Sequence, residues 1–223
     1  MSDLTIVIGN KNYSSWSMRP WLALKKTGRK FREENILLRQ ADTKGQILSH
    51  SAAGKVPVLK HGGITVWESL AICEYLADAF PDAELWPADP AARAHARSAS
   101  SEIHAGFQQL RENMPMDVTR DRSRESRADL VRPDIARLAQ IWNEARQIFG
   151  RKTGGEFLYG AFTAADAMFA PVVTRFRTYG VALDDVCNRY MNAVLEWHGF
   201  KEWEAGALAE TAVIEFDIFS RPR

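Results

Sequence analysis

The sequence predicts an α/β domain followed by an all-helical domain, and three observations lead to this prediction. Up to about residue 82, short β-branched runs alternate with helical stretches, whereas beyond residue 91 strand patterns nearly vanish. Between these parts, residues 81–90 contain three prolines, which no helix can run through. We therefore expect an α/β domain over residues 1–82, a linker over 83–90 and an all-helical domain over 91–223.

The first part of the chain predicts the order βαβ-α-ββα. Residues 4–8 (L-T-I-V-I) form a β-branched run closed by Gly9-Asn10, which is typical of a strand that ends in a turn. Gly62-Gly63 between two β-branched runs indicates a hairpin, because glycine tolerates positive φ at both turn positions. In chain order we predict a strand at 4–8, a helix at 17–27, a strand at 31–38, a short helix at 45–50, strands at 56–61 and 64–67, and a helix at 68–79.

The second part of the chain predicts helices, at 91–114, 133–149, 163–178, 188–197 and 200–209. Thr163 and Asp166 have the spacing of a capping box at a helix start. One face of the first helix carries four side chains that line either a pocket or the ordinary core, and core is the commoner outcome at this spacing. These side chains are Phe107, Leu110, Arg111 and Met114.

Composition limits the classes of partner. The 223 residues are 46% hydrophobic and 26% charged, which is ordinary for a soluble globular protein. A formal net charge of +1 argues against a nucleic acid or a membrane surface held by bulk electrostatics. No apolar stretch approaches the roughly 20 residues of a membrane span, and the first residues, M-S-D-L-T, lack the features of a signal peptide. We therefore expect a cytoplasmic protein.

Several catalytic and binding motifs are missing from the sequence. Cys73 and Cys187 lie far apart and outside any C-x-x-C pattern, so neither a disulfide framework nor a zinc site is indicated. The five histidines show no ligand spacing, so we expect no metal. The sequence has no G-x-G-x-x-G, P-loop or G-x-S-x-G motif, which argues against nucleotide binding and a hydrolase triad.

Residues 13–20 read Y-S-S-W-S-M-R-P and lie where the first predicted strand gives way to the first helix. Ser14, Ser15 and Ser17 therefore cluster where a helix presents free N–H groups and the positive end of its dipole. Such a location stabilises anions and thiolates. The alternative, that the serines only cap the helix, fits this segment equally well.

Two further segments predict polar contacts with a ligand. If the Val56–Pro57 bond is cis, the N–H and C=O of Val56 can pair with an extended peptide; a trans bond is the commoner alternative. At the start of the helix at 68–79, Ser69 is a natural N-cap beside N–H groups that could receive a carboxylate. Glu68 could receive an ammonium. The alternative is that Ser69 only caps the helix and Glu68 is only solvated.

Together these segments resemble the glutathione transferase superfamily, in particular its serine-type, tau- and zeta-like bacterial members. The resemblance rests on four ordered motifs: S-S-W-S-M-R-P-W-L-A-L, G-K-V-P-V-L, W-E-S-L-A-I-C-E-Y-L and, at 160–171, G-A-F-T-A-A-D-A-M-F-A-P. It implies a thioredoxin-like N-terminal domain that binds glutathione as co-substrate. It further implies a helical domain that completes the pocket for a small electrophile, and assembly as a homodimer.

The resemblance also implies roles for individual residues. Ser14, five positions before Arg19, would donate a hydrogen bond to the glutathione sulfur, although contact through Ser15 stays open. Trp16 replaces the cysteine or phenylalanine common in relatives. Lys55 would hold the glycyl carboxylate, Val56 the cysteinyl backbone, and Glu68 with Ser69 the γ-glutamyl head. The glutathione-binding positions are therefore Ser15, Trp16, Lys55, Val56, Pro57, Glu68 and Ser69.

The leading functional hypothesis is conjugation of glutathione to small hydrophobic electrophiles, with Ser14 as the activating residue. Alternatives are a glutathione-dependent isomerase or peroxidase that uses the same site, and a non-catalytic glutathione-binding module. Trp16 removes a thiol that would suit zeta-like isomerase chemistry. Thiol–disulfide exchange is disfavoured, because residues 14–17 contain no cysteine.

Overall fold

The computed structural model of the chain describes residues 3–220, so the first two residues and the last three of the predicted domains lie outside the described residues. The strands are β1 Leu4–Gly9, β2 Arg32–Ile36, β3 Val58–His61 and β4 Ile64–Trp67. The helices are α1 Ser15–Lys26, α2 Thr43–Leu48, α3 Ser69–Ala79, α4 Pro90–Ala105, α5 Gln108–Asn113, α6 Arg132–Ala145, α7 Arg151–Thr153, α8 Ala164–Thr178, α9 Asp185–Glu196 and α10 His198–Ala209. A π-helical turn, Arg146–Gly150, joins α6 to α7.

The strands form one mixed sheet in the order β2-β1-β3-β4. β1 is parallel to β2 and antiparallel to β3, and β3 is antiparallel to β4. Because successive strand residues point to opposite faces, Ile6 and Ile8 of β1 enter the main core with α1 and α3. Val7 faces the other way and packs with Ile47 of α2 and Val58. This sheet with the helices that follow it confirms the predicted fold class.

Some strand limits differ from the predictions. β3 begins at Val58, two residues later than expected, because Pro57 has no N–H to contribute to a ladder. β2 ends at Ile36 and not at residue 38. The backbone N–H of Leu38 instead donates to the side-chain oxygen of Asn10 at 2.8 Å. The turn after β1 thus provides the partner that a strand would otherwise have supplied.

The predicted helix at 91–114 is wrong as one element, because it is divided between α4 and α5. Gly106 leaves the helical conformation, and Phe107 adopts a left-handed φ of 62°. The guanidinium of Arg111 donates to the carbonyls of Ile103 and Gly106 near the end of α4, whose last carbonyls have no helical partners. Of the four side chains predicted on one face, Leu110 and Met114 are core residues, whereas Phe107 and Arg111 are half-buried.

Helix α8 is the central helix of the molecule. It is buried along nearly its whole length and packs against α1, α4 and α9. Its N-terminus carries the predicted capping box: the N–H and hydroxyl of Thr163 donate to one oxygen of Asp166 at 2.7 and 2.9 Å. The N–H of Leu158 donates to the other oxygen at 3.1 Å. Burial raises the pKa of Asp166 to about 6. One carboxylate therefore joins the entry of α8 to the preceding turn.

Other helix limits were also misplaced: α1 begins at Ser15 and α2 at Thr43, each two residues before its predicted start. α9 begins at Asp185, three residues before the predicted start, because Asp184 caps it by accepting from the N–H of Cys187 at 2.8 Å. α10 begins at His198 and not at residue 200. Within residues 3–220, no helix has the length and apolar character needed to cross a membrane.

We expect Asp166→Ala to lower the free energy of unfolding by about 3 kcal/mol, because three buried donors lose their acceptor. Urea denaturation measures this change. Asp184→Ala is the matched control, since it removes an exposed helix cap whose carboxylate accepts from the N–H of Cys187 and the side-chain amide of Asn143, and it should cost about 1 kcal/mol. Equal losses in the two variants would contradict a special role for the buried carboxylate.

Candidate active site

A cavity of about 490 Å³ lies where the N-termini of α1 and α3 meet the turn before β3. Seven of the eight site residues predicted from the sequence line it: Ser14, Trp16, Lys55, Val56, Pro57, Glu68 and Ser69. Ser15 is buried and is not among the lining residues. The structure thus brings together segments that are distant in the sequence, and it favours Ser14 over Ser15 as the serine that faces a ligand.

Ser14 is the N-cap of α1. Its Oγ accepts from the N–H of Ser17 at 3.3 Å and lies 2.8 Å from the Ser17 Oγ. Both hydroxyls are buried. Ser14 therefore caps the helix, which is the simpler of the two roles predicted for it. It does not exclude the second role, because the same side chain borders the cavity at the positive end of the helix dipole.

The turn before β3 contains the cis peptide bond Val56–Pro57. The sequence left open whether this bond is cis or trans, and in the structure it is cis. Because β3 begins at Val58, the backbone of Val56 lies outside the strand ladder and at the cavity wall. Lys55 lines the same wall. An extended peptide can therefore lie along this turn and pair with the backbone of Val56.

The start of α3 differs by one residue from the prediction. Glu68 occupies the N-cap position with φ 71° and ψ 129°, and Ser69 is the first helical residue, so the prediction that Ser69 is the N-cap was wrong. The Ser69 hydroxyl is buried and has no hydrogen-bond partner among the described residues. Buried hydroxyls are normally paired, so this one, at a helix N-terminus that lines a cavity, suits an anionic ligand group.

His104 of α4 also lines the cavity, although no sequence pattern indicated it. Its Nε2 lies 3.7 Å from a carboxylate oxygen of Glu68, and its ring meets the edge of Trp16 with centroids 5.4 Å apart. Burial and the nearby Arg19 lower the pKa of His104 below its usual value of 6.5. At neutral pH the imidazole is therefore uncharged and does not neutralise Glu68.

Trp16 contacts two guanidinium groups. The Cζ atoms of Arg19 and Arg111 are 4.5 and 4.7 Å from its ring centroid. Arg19 is fully buried: its Nε donates to the carbonyl of Met168 at 3.2 Å, while Nη1 and Nη2 have no hydrogen-bond partner among the described residues. Burial lowers the pKa of Arg19 well below its usual value. The ring is thus the main contact of this guanidinium.

A third arginine, which is buried, adds positive charge near the two that contact Trp16. Arg175 of α8 donates to the carbonyls of Met114 and Pro171 at 2.8 and 3.1 Å. Burial, and then the charge of Arg111, lower the pKa of Arg175 to about 9. The charges of Arg111 and Arg175 also disfavour the charged form of Arg19. Three arginines therefore interact with one another near Trp16, and the carboxylate of Glu68 is an opposite charge that favours the charged form of Arg19.

The remaining lining residues were not predicted, because they are ordinary apolar or small side chains. They are Leu38, Ile47, Ala53, Gly54 and Trp67. None of these side chains was assigned a role, although Gly54 and Trp67 belong to two of the motifs quoted above. Over the described range 3–220, no group of three or more His, Cys, Asp or Glu side chains is arranged to hold a metal ion.

The comparisons with known proteins agree with this geometry. Residues 13–79 match a family model described as the N-terminal domain of glutathione S-transferase. Maleylacetoacetate isomerase of Rattus norvegicus is 31% identical over 173 residues, which cover 76% of this chain and 76% of the rat protein. A probable maleylacetoacetate isomerase of Caenorhabditis elegans is 40% identical over 96 residues, and this match spans only 43% of the chain and 44% of the nematode protein.

Solved structures show the same fold. A bacterial maleyl pyruvate isomerase, a zeta-class glutathione S-transferase, superposes with a TM-score of 0.71 at 19% identity and covers 93% of this chain and 100% of its own. A Burkholderia glutathione transferase homologue with bound glutathione gives 0.68 at 22% identity, covering 94% and 100%. With the identity to the rat enzyme over three quarters of both chains, these findings establish that the chain belongs to the glutathione S-transferase superfamily.

Proposed function

We propose that the protein is a glutathione-dependent isomerase of small, anionic, cis-unsaturated carbonyl compounds. Glutathione is the co-substrate of the superfamily, and the cavity beside Ser14 is where its thiol would be activated. The observation that carries the proposal is the pair of guanidinium groups, those of Arg19 and Arg111, over the ring of Trp16, which lines a cavity whose other walls suit a peptide ligand. The relatives named maleylacetoacetate isomerase support it.

Thiol activation requires a modest free energy. A free cysteine thiol has a pKa near 8.5, and each pKa unit corresponds to about 1.4 kcal/mol of differential stabilisation. One hydrogen bond from the Ser14 hydroxyl to a thiolate contributes about 1.5–3 kcal/mol. Together with the dipole of α1, this suffices to lower the thiol pKa by one to two units. Ser14 acts as a donor and not as a base.

The rest of glutathione is held at three points. The cysteinyl backbone pairs with Val56, as an added short strand, and Lys55 attracts the glycyl carboxylate. At the other end, the γ-glutamyl carboxylate accepts from the first N–H groups of α3 and from the Ser69 hydroxyl. The ammonium group of the γ-glutamyl residue faces Glu68. These contacts place the sulfur near Ser14, between the two ends of the cavity.

Isomerisation needs a thiolate and an electrophile but no protein nucleophile. The thiolate adds to the carbon β to the carbonyl, the former double bond rotates in the resulting enolate, and elimination of the same thiolate restores the alkene in the trans form. The arginines near Trp16 favour the substrate carboxylate and the developing enolate. Because glutathione brings the thiol, the absence of a cysteine at position 16 does not prevent this chemistry.

Conjugation is the second candidate, because it shares the addition step and differs only in the fate of the adduct. If the electrophile carries a leaving group, or if the adduct is stable, glutathione stays attached. A homodimer remains a prediction from the resemblance, and a cytoplasmic location remains a prediction from the sequence; analytical ultracentrifugation of the purified chain tests the first of them.

We expect Ser14→Ala to raise the pKa of the bound glutathione thiol by about one to two units, because the sulfur loses its hydroxyl donor. Ultraviolet absorbance of the thiolate across pH measures the shift. Ser15→Ala is the matched control, since Ser15 is buried outside the cavity lining and should leave the pKa unchanged. An unchanged pKa in Ser14→Ala, or an equal shift in both variants, would contradict the assignment.

With maleylacetoacetate and glutathione, we expect conversion of the cis double bond to trans without net loss of free thiol. Substrate absorbance and proton NMR of the product, together with a thiol count, measure this. A neutral ester of the same acid is the control, and its kcat/KM should be about tenfold lower, since it lacks the charge that the arginines attract. Stoichiometric loss of thiol would favour conjugation, and no turnover of either compound would favour a binding module.

The His104–Glu68 contact predicts a pH effect. Because the pKa of His104 lies below 6.5, its ion pair with Glu68 forms only as the pH falls through that pKa, and it then competes with the glutathione ammonium. We expect glutathione affinity to fall more between pH 7 and pH 5 in the wild type than in His104→Gln, with equal affinities at pH 7, because protonation of the bound thiolate weakens binding in both and the charge of His104 acts only in the wild type. Calorimetric titration at both pH values tests this. Glu68→Gln is the control and should weaken glutathione binding at both pH values. If His104→Gln loses as much affinity at pH 5 as the wild type does, His104 does not compete with the glutathione ammonium.

A further inference from the structure

The geometry points to Ser17 as a positioning residue that sets the direction of the Ser14 hydroxyl. Ser17 is fully buried and is not among the cavity-lining residues, so it does not touch the co-substrate. We infer that its hydroxyl donates to the Ser14 Oγ and thereby leaves the Ser14 proton free for the glutathione sulfur. This inference rests on the proposed role of Ser14, and it adds a second hydroxyl to the activating machinery.

The hydrogen bonds form a chain that begins in the sheet. The N–H of Gly9, the last residue of β1, donates to the Ser17 Oγ at 3.0 Å. In the structure the Ser14 hydroxyl donates to the Ser17 Oγ at 2.8 Å, and the N–H of Ser17 donates to the Ser14 Oγ at 3.3 Å. The order is therefore the Gly9 amide, the Ser17 hydroxyl and then the Ser14 hydroxyl, which borders the cavity.

Counting protons decides the direction of this chain. Two hydroxyls share one contact of 2.8 Å, and only one of their protons can occupy it. If the Ser14 proton is there, Ser14 has nothing to donate to a ligand, and the Ser17 proton has no acceptor among the described hydrogen bonds. If the Ser17 proton lies between the two oxygens, the Ser14 proton can donate to a bound thiolate, and both protons then form hydrogen bonds. The second arrangement has one more hydrogen bond.

A thiolate therefore selects the arrangement in which Ser17 donates. In that state the Ser14 Oγ accepts from both the hydroxyl and the N–H of Ser17, and the Ser17 Oγ accepts from the Gly9 amide. Hydrogen bonds in such a chain polarise one another, so each donor strengthens the next. Ser17 thus makes Ser14 a better donor to the sulfur. A neutral thiol gains less than a thiolate from a stronger donor, so Ser17 should lower the pKa of the bound thiol.

The test is the pKa of the bound glutathione thiol in single and double variants. We expect Ser17→Ala to raise this pKa by about half a unit to one unit, with glutathione affinity at a pH below the thiol pKa unchanged. Ser17→Thr keeps the hydroxyl and should restore the wild-type value. Ser100→Ala is the matched control, because Ser100 is equally buried, on α4, and has no bond to Ser14; it should cause no shift.

The double variant separates this inference from the proposed function. Since Ser17 acts through Ser14, Ser17→Ala should cause no further shift in a Ser14→Ala background. A shift in Ser14→Ala with none in Ser17→Ala would overturn the inference and leave the role of Ser14 intact. An undiminished shift by Ser17→Ala in the Ser14→Ala background would also overturn it. No shift in Ser14→Ala would refute the proposed function itself. Thermal unfolding confirms that each variant is folded.

Discussion

The buried loop between β1 and α1 must find hydrogen-bond partners for its backbone inside the protein, and the N–H and C=O groups of Lys11 and Asn12 find theirs in the helical part of the chain. The carboxylate of Glu210 accepts from the N–H groups of Lys11 and Asn12 at 2.6 and 3.1 Å. The indole of Trp203 donates to the carbonyl of Lys11 at 2.9 Å, and the Asn12 side chain accepts from the N–H of Val118 at 2.7 Å. Ser14 follows directly, so its position depends on residues nearly 200 positions away.

Helix α1, which follows this loop, contacts both parts of the molecule. It packs against α3 beside the sheet and against α8 and α10 of the helical part, and Arg19 bonds to the carbonyl of Met168. Because these contacts share one apolar core, the two parts predicted from the sequence are joined by a helix that belongs to the first of them. The cavity opens at the N-terminus of α1, where a helix has free donors and its positive end. Fold and site thus depend on the same element.

The elements predicted correctly from the sequence are those whose conformation depends on a few neighbouring residues. The β-branched run of β1, the Gly62-Gly63 hairpin and the capping box of α8 each combine a residue type with a spacing that has one common structure. The break at Phe107 escaped prediction, because a left-handed phenylalanine has no sequence signature and depends on Arg111 bonding to the end of α4. His104 escaped for a related reason: only tertiary packing brings α4 beside Glu68.

The site keeps buried positive charge without a buried carboxylate beside it, and Trp16 explains how. A guanidinium that leaves water loses hydration, and the lowered pKa of Arg19 reflects this. The indole ring offsets part of that loss, at about 0.5–2 kcal/mol for each cation over the ring. A carboxylate would do so more completely, but it would cancel the field at the cavity. An uncharged aromatic ring stabilises both arginines and leaves their charge available to an anionic substrate, so the side chain at position 16 contributes to substrate choice as well as to the cavity wall.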